Sequence, residues 1–183
     1  ANRISFRLPN RFITCPDLPA LTDASGATTI DGTTQPNVSL DGTGGTLDGL
    51  RLNSNNNVIK NVTIRRHAGS GVKITSSSGN RVLGCKIGTS ALGFGDQRNA
   101  KNGVEISNGT NNEIGGVNPG EGNLIVAHNN ANMSGILISG GSGNLIRGNS
   151  LGYDSAPQRR ANFYGIWISG SSANTIGGSV LAA

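Results

Sequence analysis

The sequence predicts an all-β solenoid, a single three-faced parallel β-helix domain over residues 1–183, and three observations carry the prediction. The first is composition: 29 Gly and 23 Asn among 183 residues, with charged residues at 14% and aromatics at 4%. A long amphipathic helix or coiled coil needs far more Ala, Glu, Lys and Leu than that. The second is a Gly-apolar-x-apolar signature that recurs five times, at Gly49-Leu50-Arg51-Leu52, Gly71-Val72-Lys73-Ile74, Gly103-Val104-Glu105-Ile106, Gly135-Ile136-Leu137-Ile138 and Gly165-Ile166-Trp167-Ile168. The third is an Asn-x-apolar signature eight or nine residues after each of those glycines, at Asn57, Asn80, Asn112, Asn144 and Asn174.

Each unit holds three short alternating segments. A third apolar stretch follows in the first four: Val62-Thr63-Ile64, Cys85-Lys86-Ile87, Leu124-Ile125 and Ser150-Leu151. Period-two alternation means strands with one buried face, and such a strand cannot bury that face alone. If each unit makes one three-sided turn, the next unit stacks about 4.8 Å away and the inner Ile and Val form shared columns. The units begin 22, 32, 32 and 30 residues apart, so the longer ones read as the shortest rung plus a loop. The extra residues lie at 89–102 and 153–164 after the third strand, and at 115–122 after the second. Residues 1–48 read as N-terminal capping rungs built on Ile4–Leu8, Arg11–Cys15, Thr28–Gly32 and Val38–Gly42. Residues 49–178 are then five repeat units, the last without a third strand, for about six or seven rungs in all. That unfinished end, running on to Ser179–Ala183, points to a piece of a larger parent protein or to another copy of the chain covering it.

Outward positions fix the register. On the first strand they read Arg51, Lys73, Glu105, Leu137, Trp167, and on the second Val58, Arg81, Glu113, Leu145, Thr175. Lys73 is thereby set beside Glu105, and Arg81 beside Glu113. The recurrent Asn is expected to fill a left-handed corner, which Asn tolerates, and to bond amide to amide along the axis as an asparagine ladder.

Net charge is +5, from 15 Lys and Arg against 10 Asp and Glu. The basic residues are scattered and aromatics that could stack on bases are few, so an acidic polysaccharide is the expected partner and nucleic acid is not. No apolar run approaches the roughly 20 residues that span a bilayer. Cys15 and Cys85 allow one disulfide but form no metal motif, and Cys85 within a strand pattern reads as a small buried hydrophobe. No metal site or cofactor is expected.

Leu18-Pro19-Ala20-Leu21-Thr22, followed by Thr29-Ile30-Asp31-Gly32-Thr33-Thr34-Gln35-Pro36, resembles the opening of bacterial right-handed parallel β-helix repeat proteins. Asn111–Gly116, Pro119–Ile125 and Ile87-Gly88-Thr89 resemble that family's alternating rungs. The resemblance covers nearly the whole chain. It implies a right-handed three-faced parallel β-helix of the pectate-lyase-like (pectin lyase-like) superfamily and an extracellular or cell-surface setting. It implies no catalytic residues. The polygalacturonase acids are absent, Asn174-Thr175-Ile176 having Ile where an acid belongs, and Arg7-Leu8-Pro9-Asn10-Arg11 lacks the spacing of the pectate lyase arginines.

Two candidate sites follow. Trp167, with Tyr164 and Phe163 just before it and Arg159, Arg160 and Tyr153 nearby, forms a ligand-binding set: an exposed ring stacks on a sugar while Arg bonds an acid group. The expected function is therefore a non-catalytic surface module that binds polysaccharide. The alternative is a polysaccharide lyase or glycosidase with its site between the 89–102 and 153–164 loops, using Asp96, Arg98, Lys101 and Asp154 around His128. A structural spacer or stalk is the third possibility. His67 stands alone, and Glu121 reads as a turn residue.

Overall fold

The computed structural model describes residues 2–25 and 27–178, so Ser179–Ala183 lie outside the described residues. The chain winds through three parallel sheets in a fixed order. The first sheet has seven strands: Arg3–Ser5, Thr29–Asp31, Val58–Lys60, Arg81–Leu83, Glu113–Gly115, Leu145–Arg147 and Thr175–Ile176. The second has six: Phe12–Thr14, Ser39–Asp41, Thr63–Arg65, Lys86–Ile87, Leu124–Ile125 and Ser150–Leu151. The third has five: Leu50–Leu52, Val72–Thr75, Val104–Ser107, Ser134–Ser139 and Tyr164–Ser169, with Leu21 bridged to Leu52 beneath them. Among the described residues a single 3-10 turn, at Gly32–Thr34, interrupts this pattern, and no helix is long and apolar enough to cross a membrane.

Register explains why these residues become strands. Each inner position repeats on the next rung, as in Leu52↔Ile74↔Ile106↔Ile138↔Ile168 and Ile13↔Leu40↔Ile64↔Ile87↔Ile125↔Leu151. A third column runs Ile30↔Ile59↔Val82↔Ile114↔Ile146. Ile74, Ile106 and Ile138 are fully buried. The outer face keeps the expected charge pairs: Lys73 Nζ lies 3.0 Å from Glu105 Oε1, and Arg81 Nε 2.7 Å from Glu113 Oε2. Arg147 reaches Glu113 from the other side.

The asparagine ladder is continuous. The amide oxygens of Asn80, Asn112, Asn144 and Asn174 each accept the backbone N–H and the side-chain Nδ2–H of the ladder Asn one rung before, over 2.9–3.1 Å. The left-handed corner, however, is not on the ladder residues. It falls one residue earlier, on Asn56, Gly79, Asn111, Gly143 and Ala173, with φ between 51 and 69°. The ladder Asn must point its amide inward along the axis, so the residue before it takes the turn. A second, shorter ladder joins the backbone N–H of Cys85 to Asn123 and that of Asn123 to Asn149 at the start of the second-sheet strands. Both cysteines are free and buried, and burial pushes the Cys85 thiol up to about 11.

At the N-terminal end, residues 2–21 add a rung of their own beneath Thr29–Leu52. Ile4, Phe6, Ile13, Leu18 and Leu21 line an apolar cavity of about 220 Å³ at that end.

Candidate functional site

A corner column between the second and third sheets positions the loops. His67, Asn99, His128 and Asn162 occupy equivalent places on four successive rungs. The backbone N–H of His67 donates to Asn99 Oδ1 at 3.1 Å and that of His128 to Asn162 Oδ1 at 3.0 Å, while Asn99 and Asn162 donate back to the carbonyls of Ile64 and Ile125. Each of these four side chains lies against the glycine that opens the third-sheet strand of its own rung. A Cβ on Gly49, Gly71, Gly103 or Gly135 would lie only 2.7–3.2 Å from the His or Asn ring or amide beside it. At these four glycines a Cβ would also lie 2.4–2.8 Å from the carbonyl oxygen of the signature Gly one rung on, so the polar side chain and the next rung together require Gly there.

His128 does lie between the two long loops, bonded to Lys101 of one and to Asn162 and Phe163 of the other, but it is buried rather than open to a substrate. It is 1% exposed, its Nδ1 lies 3.0 Å from the Lys101 carbonyl oxygen, and burial pushes its pKa down to about 4. A neutral, enclosed imidazole of this kind supports the corner and meets no substrate.

The two long loops do meet, since Ser155 N–H donates to Gly93 O at 3.0 Å. The carboxylates they carry are engaged. Asp96 is clasped by Arg98, whose Nε sits 3.1 Å from Asp96 Oδ1, and Arg98 also reaches the Asn129 amide oxygen. Asp154 accepts the backbone N–H groups of Ala156 and Gln158, both at 3.0 Å, and pairs with Arg160 Nε at 3.2 Å. Burial pushes Asp154 up, but those N–H groups and Arg160 outweigh it and hold the carboxyl below its ordinary range. A carboxylate so held organises its own loop and lacks the raised pKa of a general acid. Glu121 is a turn residue, accepting from Asn118 N at 3.1 Å and Nδ2 at 2.9 Å.

The aromatic set is brought together. Phe163 and Tyr164 meet edge to face at 4.8 Å between ring centres, and Tyr164 and Trp167 at 5.2 Å. Exposure is 50, 40 and 41% for Phe163, Tyr164 and Trp167, and 55% for Tyr153. Trp167 faces outward because it is registered on Leu137, an outer-face position. Beside the patch is a cavity of about 220 Å³ lined by Tyr153, Arg159, Asn162 and Gly165 among others. Tyr153 bridges to Arg159 across its loop. Arg160 is spent on Asp154, whereas Arg159 makes no ion pair among the described residues.

Sequence reasoning missed a groove on the outer face of the second sheet. Two cavities of about 350 and 340 Å³ meet there at Gly84 and Lys86. Lys86 Nζ donates to the Ala91 carbonyl and makes no ion pair among the described residues. Its signal was a lone Lys on a strand with no acid at the neighbouring rungs, Thr63 and Leu124. Among the described residues, no group of three His, Cys, Asp or Glu is placed to hold a metal ion.

A family profile described as the right-handed β-helix region matches residues 23–181, which is most of the sequence and all of the regular rungs. The chain belongs to the right-handed β-helix family. No curated protein and no solved structure matches it. Membership accounts for the coil, the inner columns and the turns, and leaves the function to the surface features just described.

Proposed function

We propose that this β-helix is an extracellular or cell-surface binding module that holds an acidic polysaccharide and performs no chemistry on it. One observation carries the proposal: an exposed patch of Phe163, Tyr164 and Trp167 beside a cavity edged by Tyr153 and by Arg159, which makes no ion pair among the described residues. Aromatic faces stack on sugar rings with little loss of side-chain freedom, and a free guanidinium takes a carboxylate in two parallel hydrogen bonds. The Lys86 groove supports the same ligand class by offering a second cation without a carboxylate partner. The non-catalytic part rests on the loops, whose acids are occupied by Arg98, Arg160 and backbone N–H groups.

Affinity electrophoresis through gels of polygalacturonate and of a neutral glucan tests it. The chain is retarded by the acidic gel, Trp167→Ala migrates freely, and Arg159→Gln loses the preference for the acidic over the neutral polymer. Free migration of the unaltered chain in every gel refutes binding and leaves a spacer. Unsaturated uronate ends released by the chain but not by Asp154→Ala would refute the non-catalytic assignment and restore the lyase.

A further inference from the structure

The corner that encloses His67 is also the wall of a cavity of about 350 Å³, bounded by Gly42, Gly44, Arg66, His67, Arg98 and Asn130 among others. It shares no lining residue with the cavity beside the aromatic patch. The 89–102 loop builds it by returning to the coil: Gln97 N–H donates to Gly88 O at 2.9 Å and Ala100 N–H to His67 O at 2.8 Å, which carries Arg98 to the same rim as Arg66.

We propose that this cavity binds an oxyanion, with the Arg66 and Arg98 guanidiniums taking the charge of a carboxylate, sulfate or phosphate group and the His67 ring contributing an N–H from the wall. Three observations support it. Positive charge is in excess by one, since the three guanidiniums of Arg65, Arg66 and Arg98 are paired with only two carboxylates, Asp41 and Asp96. Arg98 adds a second guanidinium, anchored by Asp96 and Asn129 rather than free to swing away. His67 is 2% exposed, yet neither of its ring nitrogens has a hydrogen-bond partner. Its counterpart His128 bonds the Lys101 carbonyl through Nδ1 and leaves only Nε2 unpaired, so it is the unpaired Nδ1 that sets His67 apart. An unpaired buried polar group is costly, and a ligand that pairs it recovers that cost.

Glycines shape the opening. A Cβ on Gly42 would lie 2.2 Å from His67 Nδ1, so only Gly leaves that edge of the ring room in the wall. Gly44, with φ of 88°, has nothing within 4 Å of a notional Cβ and leaves the mouth open. The tautomer with its proton on Nδ1 presents a donor on this side.

The test follows the His67 imidazole by ¹H–¹⁵N spectroscopy while sodium phosphate is added, with sodium chloride at equal ionic strength as the reference. His67 signals shift saturably with phosphate and not with chloride, while His128, enclosed elsewhere in the column, stays still. Arms with sulfate and acetate tell a tetrahedral anion from a carboxylate. The double variant Asp96→Asn/Arg98→Gln keeps the net charge and removes one guanidinium from an exposed position, so folding is spared. It weakens phosphate binding about tenfold, the worth of one charge-assisted hydrogen bond. Equal response to phosphate and chloride overturns the proposal, as does unchanged phosphate affinity in the double variant.

Discussion

Replacing Asn112 by Ala removes the middle link of the asparagine ladder and tests whether the ladder holds the rungs together. The Asn112 side chain is fully buried and makes four hydrogen bonds. Its Oδ1 accepts from Asn80 N at 2.9 Å and Asn80 Nδ2 at 3.1 Å, and its Nδ2 donates to Asn144 Oδ1 and Ser77 O, both at 3.1 Å. On truncation three of the partners keep another bond: Asn80 Nδ2 still reaches Ser77 Oγ, Asn144 Oδ1 still accepts Asn112 N–H, and Ser77 O still accepts Thr110 N–H. The Asn80 backbone N–H alone is left buried and unpaired. One orphaned buried N–H costs about 1–3 kcal/mol and each of the three other lost bonds about 1 kcal/mol, so the total is about 4–6 kcal/mol. Asn174→Ala, at the partly exposed last link, lets water replace the lost bonds and costs about 1 kcal/mol. Urea unfolding followed by circular dichroism measures both, compared as midpoints at constant slope. Equal losses for the two variants, or a loss under about 1 kcal/mol for Asn112→Ala, would show that the inner columns alone fix the stacking.

Two further perturbations probe the corner column. A Cβ at Gly103 would lie 2.4 Å from Ile125 Cγ2 and 2.5 Å from the Gly135 carbonyl oxygen, whereas at Gly165 it would meet nothing within 4 Å. Gly103→Ala is expected to lose about 3 kcal/mol, or roughly 5–10 °C in Tm, and Gly165→Ala to melt with the parent, both read by calorimetry; equal melting of the two would refute the clash. His128 titrates at about 4 in the folded chain against an ordinary 6.5, so between those values the unfolded chain binds the extra proton. Stability therefore falls as pH drops from 6.5 towards 4, by up to about 3 kcal/mol from this group. His128→Asn, which places there the residue that Asn99 and Asn162 already are, flattens that part of the urea-midpoint profile; an unchanged profile would assign the acid sensitivity elsewhere.

Repetition made the coil legible. Ile74, Ile106 and Ile138 recur with the rungs, and the pairs Lys73–Glu105 and Arg81–Glu113 follow because an outer face sees only its neighbours one rung up and down. The same logic gave the ladder but misplaced its turn by one residue, since an Asn that must aim its amide along the axis and an Asn that adopts a left-handed backbone look alike in sequence. The corner column escaped notice because it alternates: His67 and His128 are two rungs apart, and Asn99 and Asn162, which alternate with them, sit in loops of irregular length. The loop carboxylates were overrated for a related reason. Asp96 and Asp154 are satisfied by partners two to six residues away, and no periodicity announces such local pairing. The aromatic patch was legible because Trp167 lies on a strand, where register alone decides which way a side chain faces.

The alternation of His and Asn along the corner bears on how this coil can grow or shrink. Deleting the single turn 71–102 would set His128 against His67 and leave the His67 backbone N–H without the amide oxygen that accepts it, whereas deleting 103–134 would set Asn162 against Asn99, an amide pairing that the ladder already uses. Removing or duplicating residues 71–134 as a block keeps His beside Asn at the corner, because Gly71 lies against Asn99 and Gly135 against Asn162 in the same way. Length in this molecule is governed by which side chain each cut leaves facing the next at the corner.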